Sequence, residues 1–366
     1  MPERNTMKKI QELQQVKGDA YDYYIAGNED TDLFEKIFLV DDIVEEICKP
    51  DKYFLIGEKG SGKTAYSVYM SKSDKINSFC SISLVENTLY QRFLNMKRQK
   101  ALELSSFKDV WINLIYLILA EKIRKEYGET FFSSMKYKQL SKAIDVFYSD
   151  AFKPEFVNAF EFVDNASASI NSMMKQGLFS TGTKASAETS QKYVEQSFQI
   201  SLLKIRDGFE KAFMSVNLKK PTILFVDGID ARPRDIDNEQ YFECLVGLVN
   251  AVLEMNQSFL KEKQIKIMLL IRPDIMYKMP VHNMNQKLRN NSVLLNWVTS
   301  YRKYIDSKLF KIADDYFMKQ QDYSYELGEC WNYYFPYKVE YQEKWKAPDN
   351  PCLLYTSPSP RDRTRS

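Results

Sequence analysis

Eight consecutive residues, Gly57-Glu58-Lys59-Gly60-Ser61-Gly62-Lys63-Thr64, fit the pattern G-x-x-x-x-G-K-[ST] at every position. Each residue type in that pattern has a physical task. The glycines let successive backbone N–H groups turn inward around an anion without Cβ clashes. A helix starting at about Gly62 adds the positive end of its dipole. The Lys63 ammonium reaches the β- and γ-phosphates of a nucleoside triphosphate, and the Thr64 hydroxyl is a magnesium ligand. The expected binding set is Gly57, Glu58, Lys59, Gly60, Ser61, Gly62, Lys63 and Thr64, and the expected ligands are ATP and Mg2+. No guanine-reading Asn/Thr-Lys-x-Asp motif is present, which favours ATP over GTP. A chance match has odds of roughly one in a hundred at average composition. This chain is poor in glycine, yet three of its 12 glycines fall within this one loop.

Two further segments supply charges of the right kind. Ile223-Leu224-Phe225-Val226-Asp227 is an apolar run ending in a carboxylate, a Walker B candidate in which Asp227 holds magnesium through water. Hydrolysis also needs a carboxylate near the attacking water. Many P-loop ATPases place a Glu directly after the Walker B Asp; here that position is Gly228, and Asp230 is the best substitute. This departure predicts slow turnover without loss of nucleotide binding. The competing role for Asp230 is to cap the turn that follows. The third segment, Ile265 to Ile271, leads into Arg272-Pro273-Asp274. A strand lying between the phosphate-loop strand and the Asp227 strand would aim Arg272 at the γ-phosphate, to sense or stabilise its charge. The alternative is a strand-end arginine in a salt bridge. The candidate catalytic set is Lys63, Asp230 and Arg272, the metal set Thr64 and Asp227, with Arg232, Arg234 and Arg289 as weaker candidates for an arginine finger across an oligomer interface.

The elements that must position these groups are legible as periodicities. Tyr53 to Ile56, Phe79 to Leu84, Thr222 to Val226 and Ile265 to Ile271 read as buried strands. Helical spacing marks Met7 to Val16, Leu33 to Cys48, Thr64 to Met70, Phe107 to Arg124 and Glu239 to Leu260. The predicted fold is α/β: a P-loop NTPase three-layer αβα sandwich with a mostly parallel sheet, helical insertions and a truncated C-terminal domain. Residues 1–32 form a polar N-terminal segment, 33–312 the ATPase domain, and 313–351 the start of a further domain. Within the second, residues 166–192, rich in Ser, Thr, Ala and Gly, read as a flexible insertion or hairpin.

The residues after 351 have a different origin in this reading. Cys352 to Asp362 match one frame of a transposase-type sequencing adapter, so 352–366 are expected to be a translation artefact and the natural C-terminus to be missing. Without that tail, which holds three Arg and one Asp, the formal charge falls from +2 to zero. A neutral chain carries no electrostatic signal for nucleic acid or membrane. The other four cysteines lie far apart and His282 is the lone histidine, which argues against disulfides, zinc and His-based catalysis. The polar N-terminus and the lack of a long apolar run predict a cytoplasmic protein.

Taken together, Gly-Glu-Lys-Gly-Ser-Gly-Lys-Thr, Phe-Val-Asp-Gly-Ile-Asp and Leu-Ile-Arg-Pro-Asp-Ile resemble the STAND-type signalling ATPases within the AAA+ superfamily. The Asp-Gly-Ile-Asp form is similar to NACHT modules, and Arg272-Pro273 to their sensor-1 position. Arg272 to Phe310, with Asn290-Asn291-Ser292-Val293 and Trp297, resembles a poorly characterised bacterial P-loop ATPase family associated with stress or phage defence. The resemblance covers roughly residues 33 to 312. It implies an ATP-dependent conformational or oligomeric switch, with a homo-oligomer and an unidentified effector protein as expected partners. It also implies a winged-helix region, whose beginning would be Glu326 to Lys346. The alternatives are a nucleotide-gated scaffold with negligible hydrolysis and, further off, a DNA-associated AAA+ motor.

Overall fold

The computed structural model describes residues 7–25, 28–85, 107–132, 137–150, 202–230, 238–279, 284–296 and 304–336. The insertion at 166–192, Arg232, Arg234, Trp297 and the tail at 352–366 lie outside the described residues. The chain divides into two compact units. One comprises Met1–Glu45, Val68–Ser73 and Leu295–Ser366; the other comprises Glu46–Ser67 and Asp74–Leu294.

The second unit is organised by a parallel sheet flanked by helices. Its strands are β1 (Phe54–Gly57), β2 (Phe79–Leu84), β3 (Thr222–Asp227), β4 (Ile265–Ile271) and β5 (Ser292–Leu295). They lie in the order β2-β3-β4-β1-β5, all parallel. Every residue of β1, β3 and β4 is buried. That explains why these segments read as continuous apolar runs rather than alternating ones: both faces are covered. Registers such as Leu224↔Ile267 and Leu55↔Leu270 align the carboxyl ends of β3, β4 and β1 along one edge.

Order along the sheet gives that edge its meaning. The connection leaving β1 runs to the far side of the sheet, to β2; those leaving β2, β3 and β4 run the opposite way. The crevice where directions reverse, outside the carboxyl ends of the strands, is where open α/β sheets bind ligands.

Helix Phe107–Phe132 packs along helix Asn238–Gln257. A Cβ on Gly247 would stand 2.6 Å from that of Phe107, so the close approach requires glycine. Trp111 spans the same contact, its indole N–H donating to Cys244 O at 3.0 Å. The regular helical geometry ends at Gly128, with φ 75°.

The other unit is helical. Asp314, fully buried, accepts from the backbone N–H of Gly328 (2.6 Å) and Trp331 (2.8 Å), and so fixes the start of helix Glu329–Tyr334 against helix Lys308–Met318. Phe310, Phe317, Trp331, Tyr334 and Phe335 surround that junction with rings at centroid distances of 4.6–6.2 Å. Gln320 and Gln321 reach back to the N-terminal segment, accepting from Gln14 N–H and Lys8 N–H at 2.8 Å each.

Two expectations about helices need correction. Leu33 to Cys48 is not one helix but two, Asn28–Ile37 and Asp42–Cys48, because Asp41 starts the second by accepting from Ile43 N–H. Of Met7 to Val16, only the single 3₁₀ turn Ile10–Glu12 forms.

Candidate functional site

The eight-residue motif spans the carboxyl end of β1 and the first turn of helix Lys63–Lys72. Glu58, Lys59 and Gly60 are exposed at the loop's crest, whereas Ser61 and Lys63 are buried. The loop turns tightly: Ser61 N–H donates to Glu58 O at 3.1 Å, and Gly60 and Gly62 adopt φ values of +81° and +91°. Those left-handed conformations strain any side chain, so the motif's glycines at these two positions are demanded by the backbone. A Cβ on Gly60 would meet nothing within 4 Å, so the space over the crest is open.

Two motif residues face groups from distant parts of the sequence. Thr64 Oγ1 donates to Asp227 Oδ2 at 2.6 Å, joining the helix start to the end of β3. The other Asp227 oxygen accepts from Gly228 N–H at 2.7 Å. Lys63 Nζ donates to Gly57 O (2.8 Å) and Glu58 O (3.2 Å) and lies 3.8 Å from Asp230 Oδ2. Because β4 lies between β1 and β3, Arg272 at its end joins the same group. Its guanidinium donates twice to Asp274, Nε to Oδ1 and Nη2 to Oδ2, each at 2.9 Å.

Electrostatics follow from crowding charges into a partly dry site. Burial pushes the Lys63 ammonium below its usual range, opposed by Asp230 and then Asp227 and reinforced by Arg272. Burial likewise pushes the Asp230 carboxyl up; Lys63 pulls it back, Asp227 pushes it further and Arg272 opposes. Asp230 Oδ1 is buried with no hydrogen-bond partner among the described residues. A carboxylate with a raised proton affinity and one uncommitted oxygen suits general-base work.

Gly228 explains itself in the structure. It has φ +83°, and a Cβ there would lie 3.0 Å from Val85 O. Val85 N–H in turn donates to Asp227 O at 2.8 Å, which extends the β2–β3 ladder past the strand ends. A side chain at that position would have to hold a left-handed backbone and press on Val85 O.

Of the residues named from sequence, Lys63, Thr64, Asp227, Asp230 and Arg272 come together at one edge of the sheet. Arg289, in helix Met284–Asn291, is exposed and pairs with none of these groups among the described residues. Tyr241, which no motif marks, is buried and its hydroxyl donates to Ile229 O at 2.6 Å, pinning the turn that carries Asp230. Arg272 thus sits in the strand-end salt bridge that was the alternative to its γ-phosphate role, with Asp274 as its partner.

The donor set suits a magnesium nucleotide: a hydroxyl and carboxylate side by side, an ammonium, and a loop open above its glycines. Among the described residues no group of three or more His, Cys, Asp and Glu could hold a metal by itself. No described helix is long and apolar enough to cross a membrane. The chain matches no family model, no curated protein and no solved structure.

Proposed function

We propose that the chain is a P-loop NTPase of three-layer αβα form that binds Mg-ATP on Gly57–Thr64, hydrolyses it slowly, and works as a nucleotide-dependent conformational or oligomeric switch of the STAND kind. The observation that carries the reading is the contact of Thr64 with Asp227 at 2.6 Å. Two residues expected from separate motifs to share one cation, and 163 positions apart, sit side by side. The place of β4 between β1 and β3 supports it further, since that order directs Arg272 to the same edge.

In this reading Thr64 and Asp227 hold Mg2+, which when bound supplies charge neutralisation across the phosphate oxygens. Lys63 exchanges its loop carbonyls for phosphate oxygens. The loop's backbone N–H groups hold the remaining anionic oxygens. Asp230 orients the water and accepts its proton at the carboxylate.

Gly228 favours a second reading, a nucleotide-gated scaffold that binds without turnover, because the usual carboxylate position holds a glycine whose left-handed backbone and close Val85 O disfavour a side chain. Steady-state phosphate release with Mg-ATP separates the two. The ATPase reading expects turnover that Lys63→Ala and Asp230→Asn each abolish, with binding retained in Asp230→Asn. Tight binding with no turnover in the parent supports the scaffold, and absence of binding rejects both.

A further inference from the structure

We propose that Asp274 is a latch for Arg272: it holds the guanidinium in a bidentate pair that must break for the arginine to reach a γ-phosphate, so that the pair limits the site's preference for ATP over ADP. This rests on the phosphate-loop reading above and adds to it a restraint on how sharply the site separates its two nucleotide states.

The latch is built by the local backbone. Arg272 ends β4 in extended geometry, φ −86° and ψ 144°, and Pro273 fixes the first helical position of Pro273–Lys278. Asp274 is thereby set beside the guanidinium rather than beside the phosphate loop. Both hydrogen bonds are 2.9 Å, the fork-to-fork arrangement in which arginine recognises a carboxylate or a phosphate equally well. The pair is half-open to solvent, with side-chain exposures of 27% and 43%. Partly solvated pairs of this kind are weak and exchangeable.

Arg272 is also within electrostatic range of the site's centre, since it acts on both Lys63 and Asp230. Its guanidinium therefore has two competing anions: the carboxylate two residues away, and whatever anion Lys63 holds. A diphosphate leaves the terminal position unfilled and Asp274 keeps the arginine. A triphosphate offers a second anion and draws the arginine off Asp274, at the cost of the broken pair. Asp274 is a positioning residue in this scheme, acting only through Arg272.

The experiment is titration of the full chain with Mg-ADP and with a non-hydrolysable Mg-ATP analogue, in the parent, Asp274→Asn, Asp274→Glu, Arg272→Ala and the Arg272→Ala/Asp274→Asn double variant. Asp274→Asn is expected to raise the preference for triphosphate over diphosphate by ~2- to 5-fold, as removal of one partly solvated competing pair would. Asp274→Glu should restore the parental preference in part. Arg272→Ala should remove the preference, and adding Asp274→Asn to it should change nothing more. Unchanged preference in Asp274→Asn, or an equal shift in the Arg272→Ala background, overturns the latch while leaving the phosphate loop standing. Failure of the parent to bind either nucleotide overturns the phosphate-loop reading and the latch with it.

Discussion

Two buried lysines mark opposite edges of the sheet, and they are used in opposite ways. Lys63, at the carboxyl edge, and Lys266, at the amino edge of β4, are each 7% exposed. Burial pushes both ammonium groups down, Lys266 to about 8. Lys266 donates to Ile47 O and Lys49 O, capping the end of helix Asp42–Cys48 and the residues after it, and no carboxylate bonds to it among the described residues. Nearby, Asn256 closes the stretch of β4 that β1 does not reach, bonding both the N–H (2.9 Å) and the C=O (2.7 Å) of Ile267. Polar groups at this edge are consumed by backbone. At the carboxyl edge Lys63 faces Asp230, Asp227 stands beside Thr64, and one Asp230 oxygen has no hydrogen-bond partner among the described residues. Buried charge that is fully spent on backbone is architecture; buried charge held against other side chains, with capacity left over, is a site.

The sharpest way to break this contrast is to remove each lysine and read both binding and stability. Lys63→Ala should weaken Mg-ATP binding at least ~100-fold, near ~3 kcal/mol, for the loss of a charged partner to phosphate. Its thermal stability should fall as well, since the buried Gly57 O and the part-buried Glu58 O lose their donor. An equal loss of ATP affinity in Lys266→Met, which lies at the other edge, would erase the distinction. Isothermal titration and thermal melts on the same samples decide it.

Lys266 carries its own signature in pH. Its folded-state proton affinity lies below the unfolded value, about 8 against 10.5, so between these limits the unfolded chain binds more protons and stability rises with pH. Below pH 8 the burial cost is fully present; above 10.5 it is relieved. Urea midpoints across this window should therefore show the parent gaining up to ~3 kcal/mol relative to Lys266→Met. Parallel curves for the two proteins would mean that the ammonium is not dehydrated as its burial requires.

How far this contrast was legible beforehand depended on the edge. β1, β3 and β4 were legible because buried parallel strands are continuous apolar runs, and Lys63, Thr64, Asp227 and Arg272 stood out because a phosphate-binding reading fixes residue type and spacing. Nothing marked Lys266: a lysine within Ile-Lys-Ile-Met-Leu-Leu-Ile reads as an interruption until Ile47 O and Lys49 O are seen to meet it. β5 was missed because Ser292-Val293-Leu294-Leu295 is four residues long, directly follows a helix, and leaves Leu294 exposed. The break between Ile37 and Asp42 was missed because Val40 keeps the helical spacing across the residues where Asp41 starts a second helix.

Gly228 looked like a missing carboxylate and proves to be a constraint. Gly228→Ala should destabilise by ~2 kcal/mol or more, from a left-handed residue acquiring a side chain and pressing on Val85 O. Chemical denaturation checks this. A neutral result would reopen position 228 to a catalytic side chain and undo the argument that the carboxylate had to move to Asp230.

The smallest effect tests whether the carboxyl edge is held as deliberately as the amino edge. Tyr241 donates to Ile229 O at 2.6 Å, so its hydroxyl fixes the turn that carries Asp230 without touching any candidate ligand. Tyr241→Phe removes one buried hydrogen bond, worth ~1 kcal/mol in stability. If Asp230 orients the water in hydrolysis, loosening its turn should lower phosphate release several-fold while leaving ATP affinity within ~2-fold, since displacement of a catalytic group is felt in the transition state more than in binding. Loss of stability with unchanged turnover would instead assign Tyr241 to the core alone. In that case the precision of the carboxyl edge would come from the β2–β3 ladder and Gly228, with the helix Asn238–Gln257 contributing only packing.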